Sequence, residues 1–250
     1  MAQSEGRFTR LLAAGAIALA VVGCDEGRDS GTVTARADVE QQSAPESYAA
    51  SVRVVNAIPG GPVTVWAGDS VVFRRVRYRQ ATAYREIPDE LFDFQIKRSP
   101  LATPLAQSRE NLQYGARFTL VALPSAGGTD KRNLRVLEDD PKAPNPDKAR
   151  VRFINAVPGD VEVDVQLLGR SEVLFDAVDF EEEAGWKGVD PMVGTLEVRP
   201  AGGRDVLVSL PDVRLEGGES YTFVLSGGPG QYGLIRIEDA VEREGSAGAG

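Results

Sequence analysis

Among 250 residues there is one cysteine and no histidine. Those shortages exclude an intrachain disulfide, a Cys/His zinc site and any catalytic triad built on histidine, and they remove the commonest general base. Basic charge is also short. Against 28 Lys and Arg stand 37 Asp and Glu, and removing residues 1–23, which hold one Glu and two Arg, takes the formal charge from -9 to -10. A nucleic-acid partner needs a concentrated Lys/Arg surface, and the arginines read as spread among acidic residues in both halves, so no nucleic acid is expected. The same repulsion disfavours docking on an anionic membrane surface. Aromatics make up only 7% and no long helical period is present, whereas 27 Gly and 15 Pro suit many short strands joined by tight turns. The length allows two modest cores.

The one long apolar run, Leu11 to Val22, follows Arg7 and Arg10 and is short for a membrane span. It has the layout of an export signal. It ends in Val21-Val22-Gly23-Cys24, which resembles the lipobox of bacterial lipoproteins, with the chain's only cysteine at the acylated position. Residues 1–23 are therefore expected to be a lipoprotein signal peptide and Cys24 the lipidated residue, placing the protein on the periplasmic or outer face of a bacterial membrane. Residues 24–48, rich in Ser, Thr, Gly, Gln and Ala, read as a flexible tether.

The rest is duplicated. Val52-Arg53-Val54-Val55-Asn56-Ala57-Ile58-Pro59-Gly60 returns 99 residues later as Val151-Arg152-Phe153-Ile154-Asn155-Ala156-Val157-Pro158-Gly159. Gly115-Ala116-Arg117-Phe118-Thr119 is echoed by Gly218-Glu219-Ser220-Tyr221-Thr222, and Leu134-Arg135-Val136-Leu137-Glu138-Asp139 by Leu234-Ile235-Arg236-Ile237-Glu238-Asp239. Matches in one order at nearly constant spacing mean one unit used twice. Alternation such as Phe92-Asp93-Phe94-Gln95-Ile96 predicts half-buried strands, with turns at Ala67-Gly68-Asp69, Leu168-Gly169-Arg170, Ala201-Gly202-Gly203 and Glu216-Gly217-Gly218. Glu181 to Gly188 could hold a short turn. The expected layout is a first β-sandwich at 49–140, a Pro-rich spacer at 141–149 setting two sandwiches end to end, a second β-sandwich at 150–242 and a disordered tail at 243–250.

These paired motifs resemble the domain-of-unknown-function 4397 family over most of residues 50 to 242. The resemblance implies an exported protein with an immunoglobulin-like β-sandwich, so the fold expected is all-β with two tandem sandwiches of that kind. It brings no catalytic residues. Family members often carry His where Asn56 and Asn155 stand, and Ser at Ile58 and Val157, so a role tied to that His does not transfer.

Few residues offer chemistry. Gly68-Asp69-Ser70 is like an esterase nucleophile block, but that chemistry needs a histidine, so it reads as a hairpin turn. Gly227-Gly228-Pro229-Gly230-Gln231 lacks the Lys-Ser/Thr ending of a phosphate loop. Glu138, Asp139, Asp140 and Asp147, with Asn145, are weak candidates for a calcium site at the junction, against the simpler reading of solvated strand ends. Asn56 and Asn155 are weak candidates for ligand binding, the simpler account being a structural role in a turn. No cofactor is expected. The function expected is non-catalytic: a lipid-anchored binding or spacing module that meets envelope proteins or polysaccharide. The alternatives are a polysaccharide-acting enzyme using paired carboxylates, and a purely mechanical stalk.

Overall fold

A computed structural model of the chain describes residues 49–125, 134–142, 144–159, 161–168 and 173–239. The expected signal peptide, Cys24, the tether and the C-terminal tail lie outside the described residues. Those described form sixteen strands and no helix. The first half contains β1 (Ala49–Asn56), β2 (Val63–Ala67), β3 (Ser70–Val76), β4 (Arg85–Pro88), β5 (Leu91–Lys97), β6 (Ala106–Asn111), β7 (Arg117–Ala122) and β8 (Leu134–Asp139). The second contains β9 (Ala149–Asn155), β10 (Val163–Leu167), β11 (Val173–Val178), β12 (Glu183–Val189), β13 (Met192–Pro200), β14 (Val208–Leu215), β15 (Ser220–Ser226) and β16 (Gly233–Asp239).

Strand order is the same in both halves. Sheets β4-β1-β7-β8 and β3-β2-β5-β6 are matched by β12-β9-β15-β16 and β11-β10-β13-β14. Even the irregularities recur: β1 pairs with β7 and β9 with β15 in parallel, and β3 and β11 each carry a bulge where a non-glycine residue, Arg75 or Ala177, has a positive φ of 55° or 49°. The turn at Gly68-Asp69 joins β2 to β3 as a tight hairpin, with Gly68 at φ 54°.

Alternation sorts the side chains. Val52 and Val54 of β1 and Leu120 of β7 meet Val63, Val65, Phe94 and Ile96 of the opposite sheet to form one core. Val151, Phe153, Phe223 and Leu225 meet Val165, Leu196, Val198 and Phe175 to form the other. The residues between them in the chain do not face water. Val55, Val121 and Leu137 from the first half and Ile154, Val224, Ile235 and Ile237 from the second make a third buried cluster. The sheets holding β1 and β9 therefore pack on each other, each buried on both faces, and β1, β7, β9 and β15 are nearly continuous in burial.

Two expectations are corrected here. The sandwiches lie side by side against a shared core rather than end to end, and the spacer folds back: Gly218 N donates to Lys148 O, and a methyl group on Gly217 would run into Pro146 O. Glu183 to Val189, overlapping the stretch Glu181 to Gly188 read as a possible turn, is strand β12 paired antiparallel with β9, because Ala184 and Val189 are drawn into the second sandwich's core.

Candidate binding surfaces

Asn56 and Asn155 sit at the ends of β1 and β9 with no exposed surface. Asn56 Nδ2 donates to Val76 O at 3.0 Å and its Oδ1 accepts from Ile58 N at 2.9 Å. Asn155 does the same with Val178 O, 3.1 Å, and Val157 N, 3.0 Å. Each carboxamide ties its strand end to the bulged edge strand, which is the turn role written twice.

The four junction carboxylates are not brought together. Among the described residues no group of three or more acidic side chains is placed to hold a metal. Asp140 accepts from Arg150 Nη1 at 2.6 Å and Lys142 N at 2.9 Å; burial works against its charge, but those bonds outweigh it and hold its carboxyl below the usual range. Glu138 is exposed on β8. Asp147 lies in an exposed turn where its N–H donates to Asn145 Oδ1.

Asp139 goes elsewhere, into a charge network between the sandwiches. Arg53 of β1 bonds Asp239 of the second half and lies 3.7 Å from Asp139; Arg152 of β9 bonds Asp139 of the first half and lies 3.8 Å from Asp239. All four side chains are at most 5% exposed. A threonine serves each arginine: Arg53 Nε donates to Thr119 Oγ1 at 2.7 Å, which donates to Asp139 Oδ2 at 2.6 Å, and Arg152 Nε to Thr222 Oγ1 at 2.8 Å, which donates to Asp239 Oδ2 at 2.7 Å. An aromatic ring covers each guanidinium, Tyr84 at 4.7 Å from Arg53 and Trp186 at 4.5 Å from Arg152. Two buried arginines meet two buried aspartates, Glu183 adds a third, partly exposed carboxylate 3.2 Å from Arg152 Nη1, and nearly every donor has a partner, as a buried network requires. Burial opposes the charge on Arg152, but Asp139 and Asp239 more than offset it and raise its pKa. Burial and then the Asp139 charge push the Tyr84 phenol well above its ordinary pKa, with Arg53 acting in the opposite sense. Tyr84 donates to Asp139 Oδ2 at 2.8 Å. This is fastening rather than a reactive centre.

At the other end of the interface Arg79, in the turn after β3, reaches into the β15–β16 loop. Its Nε donates to Ser226 Oγ at 3.0 Å and its Nη2 to Gln231 O at 2.6 Å. Gly227 has φ 105°, and a methyl on Gly233 would collide with the Arg79 guanidinium. The glycines of this loop, which read in sequence as a plain loop between strands, make room for that arginine.

Accessible chemistry lies on the outer face of β5 and β6. A groove of about 500 Å³ is lined by Asp93, Gln95, Gln107, Ser108 and Arg109 over Phe94. It holds one carboxylate, Asp93, 3.7 Å from Arg109 Nε. Trp66 of β2 stands directly across the ladder from Gln95 and on the same face, since Val63, Val65 and Ala67 point into the core. Its indole N–H has no partner, and Lys97 Nζ lies 5.7 Å from its ring. At the matching place in the second sandwich stand Gln166 and Glu197, the latter bonded to Arg199 at 2.6 Å. Sequence reasoning passed over this groove because its residues are the polar halves of an ordinary alternating strand, and only the lone tryptophan in β2 marked the face.

No curated protein matches the chain. Residues 50–166, the first sandwich and the opening of the second, match the model of a family described as "Domain of unknown function (DUF4397)".

Proposed function

We propose that the protein is exported, acylated on Cys24 and held on the periplasmic or outer face of a bacterial membrane, where it is a non-catalytic module that binds envelope polysaccharide. The observation that carries the binding reading is the groove on the first sandwich's outer sheet. The amides of Gln95 and Gln107 offer donors and acceptors to hydroxyls, the half-buried Trp66 across the ladder from Gln95 would supply an aromatic surface beside them for a sugar ring, and the open groove suits a chain that passes through rather than a small molecule enclosed. The shared core and the buried charges support it by making the groove part of a stiff body, on which contact residues stay placed. The sequence supports the anchoring through the apolar run Leu11 to Val22 and its ending at Cys24.

Polysaccharide purified from the cell's own envelope, titrated against the full chain in a non-ionic detergent, tests the reading. Wild type is expected to bind and Trp66→Ala with Gln95→Ala to lose binding, while Gln166→Ala leaves it unchanged. Absence of binding by wild type, or binding that ignores Trp66, overturns it. Cys24→Ser is expected to move the protein from the membrane to the soluble fraction.

A further inference from the structure

The two outer edge strands carry opposite charge at equivalent positions. In the first sandwich the stretch from Phe73 reads Phe-Arg-Arg-Val-Arg-Tyr-Arg-Gln; in the second, from Phe175, it reads Phe-Asp-Ala-Val-Asp-Phe-Glu-Glu. Structure aligns them: Phe73 and Phe175 are core, Arg75 and Ala177 are the positive-φ bulge residues, and Val76 and Val178 receive the Asn56 and Asn155 bonds. Arg74 and Arg77 thus stand where Asp176 and Asp179 stand, all four exposed. The inversion extends to the halves, because residues 49–140 hold 13 Lys/Arg against 10 Asp/Glu and residues 150–242 hold 8 against 18. The arginines are spread among acidic residues in both halves, as the sequence reads, but more thickly in the first.

Within one chain the two edges do not meet. The strands β3 and β11 belong to the outermost sheets, separated by both inner sheets and the shared core. Among the described residues Arg74, Arg75 and Arg77 make no ion pair. Nor do the edges invite strand addition. One carbonyl of each is already capped by a cation, Val72 O by Arg85 at 2.6 Å and Leu174 O by Lys187 at 2.7 Å, and each is bulged. What the edges offer is side-chain charge.

We infer that the Arg74–Arg77 edge of one copy docks the Asp176–Asp179 edge of a second copy, so that chains associate head to tail. Both charged pairs are three residues apart, so edges laid antiparallel set Arg74 against Asp179 and Arg77 against Asp176. Two arginine edges, or two aspartate edges, repel. The contact is heterologous: a docked pair keeps one edge of each kind free, and association extends into a row or closes into a ring. Being made of exposed pairs, it is weak and salt-dependent.

Sedimentation velocity of the full chain in a non-ionic detergent, over a range of protein concentrations, tests this. At about 0.01 M salt, where screening reaches about 30 Å, the sedimentation coefficient is expected to rise with concentration; at about 1 M, where it falls to about 3 Å, the rise is expected to vanish. Arg74→Asp with Arg77→Asp abolishes the rise, and so does Asp176→Arg with Asp179→Arg, although the latter lowers the net negative charge and eases general repulsion. The fourfold exchange, which leaves net charge and fold untouched, restores it. A wild type showing no rise at low salt, an edge variant that still associates, or a fourfold exchange that fails to restore association overturns the inference.

Discussion

Arg53 of the first sandwich reaches Asp239 and Arg152 of the second reaches Asp139, each also held by a threonine of its own half in the same way, whereas on the outer edges Arg74 and Arg77 stand where Asp176 and Asp179 stand, with the opposite charge. The interior of the duplicated unit is thus held nearly constant and its surface has diverged. Physical chemistry accounts for the split. A buried guanidinium tolerates little change because an unpaired charge away from water is strongly destabilising, while exposed edge charges contribute little to folding and can take either sign. The groove obeys the same division: Trp66 on one outer sheet has Gln166 as its counterpart on the other.

The largest effect is expected from the shared interior. Asp139→Asn and Asp239→Asn each leave the two buried guanidinium groups with one buried carboxylate beside the partly exposed Glu183, and should destabilise by about 3–5 kcal/mol in urea unfolding. The two losses should be similar and the double variant less than additive, because both act on one network. Unequal losses would show that the halves are not fastened as counterparts. Asn56→Ala and Asn155→Ala should each lose about 1–3 kcal/mol by the same measurement, since Val76 O or Val178 O is left without its donor.

Smaller effects separate the halves. Arg79→Ala should lose about 1 kcal/mol and speed hydrogen exchange in the 226–233 loop, leaving amides of β10 and β13 protected. Tyr84 stands where the second half has Trp186, so only one side of the network titrates in alkali. Its pKa is raised on folding; the associated stability is fully present below the ordinary tyrosine value of about 10 and is lost as pH rises beyond it. Absorbance titration should find one phenol lagging the rest, and Tyr84→Phe should remove that lag. A Tyr84→Phe variant with an unchanged titration curve would contradict the assignment.

Much of this was legible beforehand, and the illegible part has a definite cause. Phe92 to Ile96 alternates and forms β5, and Gly68-Asp69 forms the hairpin its residues imply. In Val52-Arg53-Val54-Val55, however, Arg53 reads as the wet half of an alternating strand, because the pattern cannot distinguish water from a second protein layer with a carboxylate waiting in it. The repeated signal was the recurrence of arginine at the same place in two strands that are otherwise nearly all apolar. The prolines of the spacer were read for stiffness, while its direction is set by contacts such as Pro146 on Gly217, which no local pattern announces. Asp139 could not be told from its exposed neighbours Glu138 and Asp140 for the same reason: its partners, Arg152 of the second sandwich and Arg53 near the start of the first, are not its neighbours in the sequence.

The central claim is that the two sandwiches form one cooperative body, and the chain carries its own probes, one tryptophan in each half. Trp66→Phe leaves Trp186 to report on the second sandwich, and Trp186→Phe leaves Trp66 to report on the first. Urea unfolding followed by fluorescence should give in each variant a single transition with the midpoint and slope of its own loss of circular dichroism. Two separated transitions, one per tryptophan, would contradict the account and return the sandwiches to independent domains.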